Sequence, residues 1–237
     1  MPYMLVFEHQ GSDSDSDSDD PRMLIDDVSL SIVRHDTPEF ESLFDGRTLD
    51  GWTGATKGYR VRDGAIECSK AQFGGNLLTA EVFDDFVLRF EFKLSPGSNN
   101  GIALRAPLDG DPAYLGMESQ VLDNGDRRYK GIKPWQRHGS IYGISPALPG
   151  YQRPVGEWNT EEIRVEGRKV RITLNGTVIL DCDLDDATSE GTLSGQKHPG
   201  LDRKSGHIGF CGHGDDVAYR NIRIRRLGSS QRKTPQD

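Results

Sequence analysis

The sequence predicts an all-β fold, a two-sheet antiparallel β-sandwich of the jelly-roll type, from three observations. Apolar residues alternate with polar ones over several short runs, which is the period of a half-buried strand. Glycine (28 residues) and proline (12 residues) are frequent enough to turn the chain often. No stretch keeps helical periodicity for more than a turn or two. With 34% hydrophobic residues, 28% charged residues and a mean hydropathy of -0.62, no apolar run is long enough to span a bilayer, so no transmembrane segment is expected.

Charge separates the chain into parts. Residues 1–37 hold nine acidic side chains (Glu8 and eight Asp) against Arg22 and Arg34, whereas the rest carries 28 acidic and 27 basic groups. The body is nearly neutral, and without a basic excess nucleic acid is not an expected partner. Within the first part, Gly11 to Asp20 reads GSDSDSDSDD, whose carboxylates repel one another and which has nothing apolar to bury. Residues 1–37 are therefore expected to be a mostly disordered acidic segment, 38–228 a sandwich domain and 229–237 a flexible tail. The opening MPYMLVFEHQ lacks a basic start and a long apolar stretch, so no secretory signal is read there. The three cysteines, Cys68, Cys182 and Cys211, are too few and too scattered for a disulfide framework or a metal finger.

The strands follow in order. Phe86 to Leu94 places Phe86, Leu88, Phe90, Phe92 and Leu94 on one face, with Arg89, Glu91 and Lys93 opposite. Ile163 to Glu166 and Val170 to Leu174 alternate likewise. Asn175-Gly176 then predicts a type I′ hairpin turn into a strand from Thr177 to Leu180. Near the end, Ile208 and Phe210 form one apolar row and Ile222 and Ile224 another.

An ordered series of short motifs carries a resemblance. It begins with Phe40-Glu-Ser-Leu-Phe-Asp-Gly-Arg-Thr-Leu-Asp-Gly-Trp52, Asp63-Gly64, Leu77-Leu78-Thr79 and Asp85-Phe86. It continues through Ser98-Asn99-Asn100-Gly101-Ile102 to Arg105, Glu118-Ser-Gln120-Val-Leu-Asp123 and Gly139-Ser140-Ile141-Tyr142. Gly156-Glu157-Trp158-Asn159, Leu174-Asn175-Gly176 and Arg220-Asn221-Ile222 complete it. In this order and spacing the chain resembles the 3-keto-disaccharide hydrolase domain family over essentially Phe40 to Leu227. The resemblance implies a concanavalin A-like or laminin-G-like jelly roll, and a substrate that is an oxidised (3-keto) sugar or glycan. The family is mostly exported, which the missing signal does not match. The implied reaction is cleavage of a 3-keto-glycoside. A 3-ketone acidifies the carbon-2 hydrogen, a base removes it, the carbon-1 substituent is eliminated, and water adds to the enone. Such a site needs a base and a partner for the enolate oxygen rather than two carboxylates at fixed separation. The alternative is a non-catalytic glycan-binding jelly-roll module.

Candidate residues come from alternation inside these motifs. Glu118 and Gln120 share a strand face, which is either a sugar-binding face or a solvated outer one. Arg105 shares a face with Ala103 and is read either as a grip on the enolate oxygen or as a structural ion pair, with Glu118 as one partner considered. His138 and His213 stand beside glycines and, with Glu118, are the catalytic candidates. Arg105, Glu118, Gln120 and one of these histidines are expected to line a single concave cleft. Asp123 is a substrate-binding candidate, although Asp123-Asn124-Gly125 favours a turn. Tyr142 lies in the turn-rich segment 125–150, read as a loop over the cleft, and is a stacking candidate. Arg220 is read as marking the cleft mouth. A divalent metal held by a histidine with Glu118 or Asp123 stays open as an enolate stabiliser, although no H-x-H or HExxH spacing supports it.

Overall fold

The computed structural model describes residues 39–69 and 74–228; the expected acidic segment (1–37) and tail (229–237) lie outside the described residues. Among the described residues the strands are β1 (Glu41–Ser42), β2 (Trp52–Gly54), β3 (Tyr59–Arg62), β4 (Ala65–Cys68), β5 (Gly75–Thr79), β6 (Phe86–Leu94) and β7 (Asn99–Ala106). They continue as β8 (Met117–Leu122), β9 (Trp158–Glu166), β10 (Lys169–Leu174), β11 (Thr177–Asp183), β12 (His207–Gly212) and β13 (Val217–Arg226). Two short helices interrupt them, α1 (Pro112–Leu115) and α2 (Leu184–Thr188). The larger sheet runs β11-β10-β9-β6-β13-β4-β3, with β1 pairing β13, and the smaller runs β2-β5-β12-β7-β8. Every pairing is antiparallel. The chain is an all-β two-sheet sandwich, as its alternation requires. Among the described residues, no helix is long and apolar enough to cross a membrane.

The core lies between the sheets. Phe86, Leu88, Phe90, Phe92 and Leu94 of β6 are all buried there, as are Val170, Ile172 and Leu174 of β10. Each such large side chain contributes about 1.5–3 kcal/mol through removal from water. Across the gap Trp52 stacks on Phe210 at 5.3 Å, and Phe210 stacks on Tyr219 at 3.9 Å, so three aromatic rings tie the two sheets together. The hairpin between β10 and β11 has Asn175 at φ 49° and Gly176 at φ 87°, the two left-handed residues that a type I′ turn needs. The strand after it runs to Asp183, three residues beyond the expected Leu180. All three cysteines are buried free thiols.

The segment 125–150 departs from the expected loop over the sheet face. Residues 139–142 turn back and extend the edge of the smaller sheet beside β8. Gly139 N–H donates to the Gln120 carbonyl at 2.8 Å, Gln120 N–H to Ser140 at 3.0 Å and Tyr142 N–H to Glu118 at 2.9 Å. The free edge of β8 is thereby covered, which satisfies backbone groups that an open edge would leave exposed. His138 consequently points between the sheets. Its ring lies 5.0 Å from that of Phe92, and its Nε2 is 3.0 Å from Glu161 Oε2. The catalytic assignment of His138 is corrected on this ground: the imidazole belongs to a buried pair in the core.

Candidate active site

Parity decides which side chains of the smaller sheet face away from the core. Leu77, Ile102, Leu104, Met117, Val121, Ile208 and Phe210 pack inward, and the alternate positions face outward. Leu78, Ala103 and Cys211 cluster on the outward side, joined by Ala106 beyond the register shift of β7 against β12. Glu118 and Gln120 are on the outward face, with Glu118 paired to Ala103 and Gln120 to Gly101. His213, one residue past β12, follows Cys211 on the same side.

The Glu118 side chain bends over Gly101. A Cβ built on Gly101 would stand 1.8 Å from Glu118 Oε1, so the carboxylate fills the space that a side chain there would occupy. The small residues expected to leave room for a ligand instead leave room for Glu118. On its far side, Glu118 Oε1 is 3.7 Å from His213 Nε2, within ion-pair reach but beyond a hydrogen bond. Glu118 is 4% exposed and its Oε1 has no hydrogen-bond partner among the described residues. The His213 side chain is half exposed. Burial pushes the Glu118 carboxyl above its ordinary value, with the imidazole opposing. Facing Glu118 raises the His213 imidazole above its usual range, more than burial lowers it, and Asp111 and Asp215 add to the effect. The result is an accessible histidine backed by a sunken carboxylate, a base made more basic by its neighbour.

Polar and aromatic groups surround this pair. Gln120 Nε2 donates to Asn99 Oδ1 at 2.7 Å, which fixes two amides side by side on the outward face. Asn99 N–H in turn donates to Asp215 Oδ2 at 3.1 Å, tying the start of β7 to the loop after His213. Asp111 caps α1 by accepting from Ala113 N–H at 3.0 Å, with Pro112 opening the helix. Its charge acts on Glu118, His213 and the Cys211 thiol, which burial holds well above its ordinary value. Tyr114 meets Tyr142 edge-on at 6.4 Å, and Tyr142 meets Trp135 edge-on at 5.1 Å. Tyr142 itself lies alongside β8, its amide donating to the Glu118 carbonyl at 2.9 Å. Asp111, Tyr114 and Asp215 have no signal in the alternation, and Asn99 stands out there only as part of the Ser98 to Ile102 motif. The Asp-Pro dipeptide at 111–112 was the available signal for the cap.

Three further expectations are corrected. Arg105 is 3% exposed, and its guanidinium donates to Asp84 O and Gly167 O at 2.8 Å, to Arg203 O at 3.4 Å and to Asp85 at 2.7 Å. It is a structural clamp far from any outward role: Arg105 takes φ 50°, and the β7–β12 register shifts between His207 and Gly209, which breaks the alternation with Ala103. Arg220 lies on the larger sheet, bonded to Glu91 at 2.7 Å and stacked over Trp158 at 4.0 Å. Asp123 is occupied by its turn, accepting from Gly97 N–H at 2.8 Å and Gly125 N–H at 3.1 Å. Among the described residues, no group of three or more His, Cys, Asp or Glu side chains is arranged to hold a metal ion.

Fold and face together define a jelly-roll protein with a histidine facing a buried carboxylate on the outer side of its smaller sheet. The chain belongs to the family described as the 3-keto-alpha-glucoside-1,2-lyase-like domain, which matches residues 39–225. It is 32% identical over 242 aligned residues to a 3-keto-disaccharide hydrolase of Bacteroides thetaiotaomicron, covering 86% of this chain and 82% of that protein. Among solved structures it is similar to a candidate glycosyl hydrolase from Parabacteroides distasonis, with TM-score 0.71 and 26% identity, covering 80% of this chain and 100% of that one. A Bacillus subtilis protein with a galectin-like fold matches at TM-score 0.50 and 13% identity, over 79% of this chain and 98% of that one, which bears on the fold alone. Family membership places the chain among carbohydrate-active enzymes of the glycoside hydrolase type.

Proposed function

We propose that this protein cleaves 3-keto-glycosides by elimination and hydration, with His213 as the base. His213 Nε2 takes the carbon-2 proton, and the electron pair of that bond delocalises onto the carbon-3 oxygen as an enolate. The negative Glu118 at 3.7 Å favours the imidazolium that forms. Side-chain amide N–H groups of Asn99 and Gln120, held in place by their mutual bond, are the enolate and hydroxyl donors on this face. Arg105, fully engaged elsewhere, has no part in the step. Collapse of the enolate expels the carbon-1 substituent, and water then adds at carbon 1 while carbon 2 regains a proton.

The observation that carries this reading is the pairing itself: a half-exposed histidine backed by a buried carboxylate whose Oε1 has no hydrogen-bond partner among the described residues. A nearby carboxylate raises the basicity of an imidazole toward neutrality, where a general base works best. The test is to incubate purified protein with a 3-keto-disaccharide and with its unoxidised parent, each with and without chelator, and to follow monosaccharide release. Release from the 3-keto substrate alone is the expected result. Binding of the sugar without release from either would favour the glycan-binding alternative, and a chelator effect would bring a metal into the site.

A further inference from the structure

Elimination leaves the carbon-1 substituent as an alkoxide unless a proton reaches its oxygen, and His213 is already engaged in taking a proton. The geometry points to Tyr114 as the general acid that protonates the departing oxygen, with His198 as the residue that positions it. This rests on the reading of the site given above.

Tyr114 lies in α1, four residues before Glu118, and the capping by Asp111 fixes where that single helical turn starts. Its ring is held from two sides, by Tyr142 edge-on at 6.4 Å and by His198 at 4.7 Å with a 44° tilt. Both supports are themselves held. Trp135 meets Tyr142 at 5.1 Å, and the Gln136 amide reaches the Tyr142 hydroxyl at 3.5 Å. His198 Nε2 is 3.1 Å from Ser194 Oγ. Gly143 is required here, because a Cβ on it would come within 2.8 Å of His198 Nε2. The Tyr114 ring thus has little rotational freedom, while its hydroxyl makes no hydrogen bond among the described residues. Partial burial and the neighbouring Tyr142, Asp111 and Glu118 raise its pKa, so the phenol keeps its proton at neutral pH. Burial lowers the His198 pKa, which keeps that ring an uncharged support.

The cycle closes without an outside reagent. The Tyr114 O–H bond breaks as the glycosidic oxygen leaves carbon 1, and the proton goes to that oxygen. In the hydration half, the phenolate takes a proton from the water whose hydroxyl adds to carbon 1. The imidazolium of His213, whose N–H exchanges with solvent at its half-exposed position, returns a proton to carbon 2, and both side chains regain their starting states.

The test compares Tyr114→Phe with the parent on two 3-keto-glucosides, one with a sugar as leaving group and one with 4-nitrophenol. The substitution keeps the ring and both packing contacts, and circular dichroism checks the fold. Loss of a general acid costs about a hundredfold to ten-thousandfold. That loss is expected in kcat for the sugar leaving group, whereas the nitrophenyl substrate, whose oxygen leaves readily unprotonated, is expected to react at near the parental rate. Exchange of the carbon-2 hydrogen with solvent is expected to be unchanged. His198→Ala is expected to reproduce the same split more weakly. Equal slowing of both substrates, or of neither, overturns the role of Tyr114 while leaving His213 in place. A parent protein inert toward both substrates and unable to exchange the carbon-2 hydrogen overturns the reading of the site, and the role of Tyr114 with it.

Discussion

Glu118 Oε1 and His213 Nε2 stand 3.7 Å apart on the outer face of the smaller sheet, one sunken and one half exposed. Glu118 on β8 and His213 just past the end of β12 are separated by β7, and they meet only because Gly101 on that intervening strand has no side chain. The carboxylate crosses the gap and loses water on the way, which raises its pKa. The imidazole retains access to solvent and gains proton affinity from the facing charge. This division of labour gives the base an accessible side and an electrostatic support beneath it.

Gly101→Ala is expected to displace the carboxylate, since the new methyl would sit 1.8 Å from Glu118 Oε1. Overpacking of this kind costs about 1–3 kcal/mol. Urea denaturation is expected to show a loss in that range, together with a fall in 3-keto-glycoside cleavage. Unchanged stability and activity would mean that Glu118 has another place to go.

Glu118→Gln keeps the shape and removes the charge. Because the base works as neutral imidazole, activity rises as pH climbs through the His213 pKa, which the parent holds above the ordinary 6.5. The acid limb of the kcat/KM profile is therefore expected to lie above 6.5 in the parent and to move to lower pH in the variant. The same shift has a stability consequence with a defined sign. A raised histidine pKa stabilises the fold below 6.5, and that contribution disappears as pH rises through the folded-state value. With His213 half exposed, solvent screening keeps the contribution small.

Glu161→Ala would remove the carboxylate that faces His138 at 3.0 Å in the core, where both side chains are essentially inaccessible. Breaking a buried pair from one side costs about 3–5 kcal/mol, whereas replacing both partners with apolar residues is often neutral. Thermal melting is expected to show a large drop for Glu161→Ala and a much smaller one for Glu161→Leu combined with His138→Phe. Equal melting temperatures for the single variant and the parent would remove His138–Glu161 from the core account.

Arg105→Gln is expected to lower the melting temperature and leave KM for the 3-keto sugar unchanged. The guanidinium holds the carbonyls of Asp84, Gly167 and Arg203 and the Asp85 carboxylate, and none of these is on the outward face near His213. A selective rise in KM without loss of stability would return Arg105 to the site.

What the sequence made legible was governed by unbroken alternation. Phe86 to Leu94 and the shared face of Glu118 and Gln120 follow directly from a period of two, the Asn175-Gly176 turn follows from the positive φ both residues tolerate, and the structure keeps all three. The same rule misplaced Arg105 and Arg220, because each adjoins a bulge that resets the count. Arg105 and Asn221 both take positive φ, at 50° and 53°. Asn221 carried a usable hint, since asparagine tolerates that region, whereas an arginine there has no local signature. His138 looked like a site residue from its neighbouring glycine. The contrary signal was Glu161, which shares its strand parity with the buried Ile163 and Val165 and so needs a partner inside. Tyr114 and His198 are brought together by a helix and a turn far apart in sequence, and no periodicity links them.

The central claim, that His213 removes the carbon-2 proton, is tested most directly by following a 3-keto-glycoside in D2O by NMR with the parent and with His213→Ala. The parent is expected to place deuterium at carbon 2 as it releases the sugar, and the variant, correctly folded, to lose both processes by about a hundredfold to ten-thousandfold. Sugar release without deuterium at carbon 2, or equal exchange by parent and variant, would contradict it.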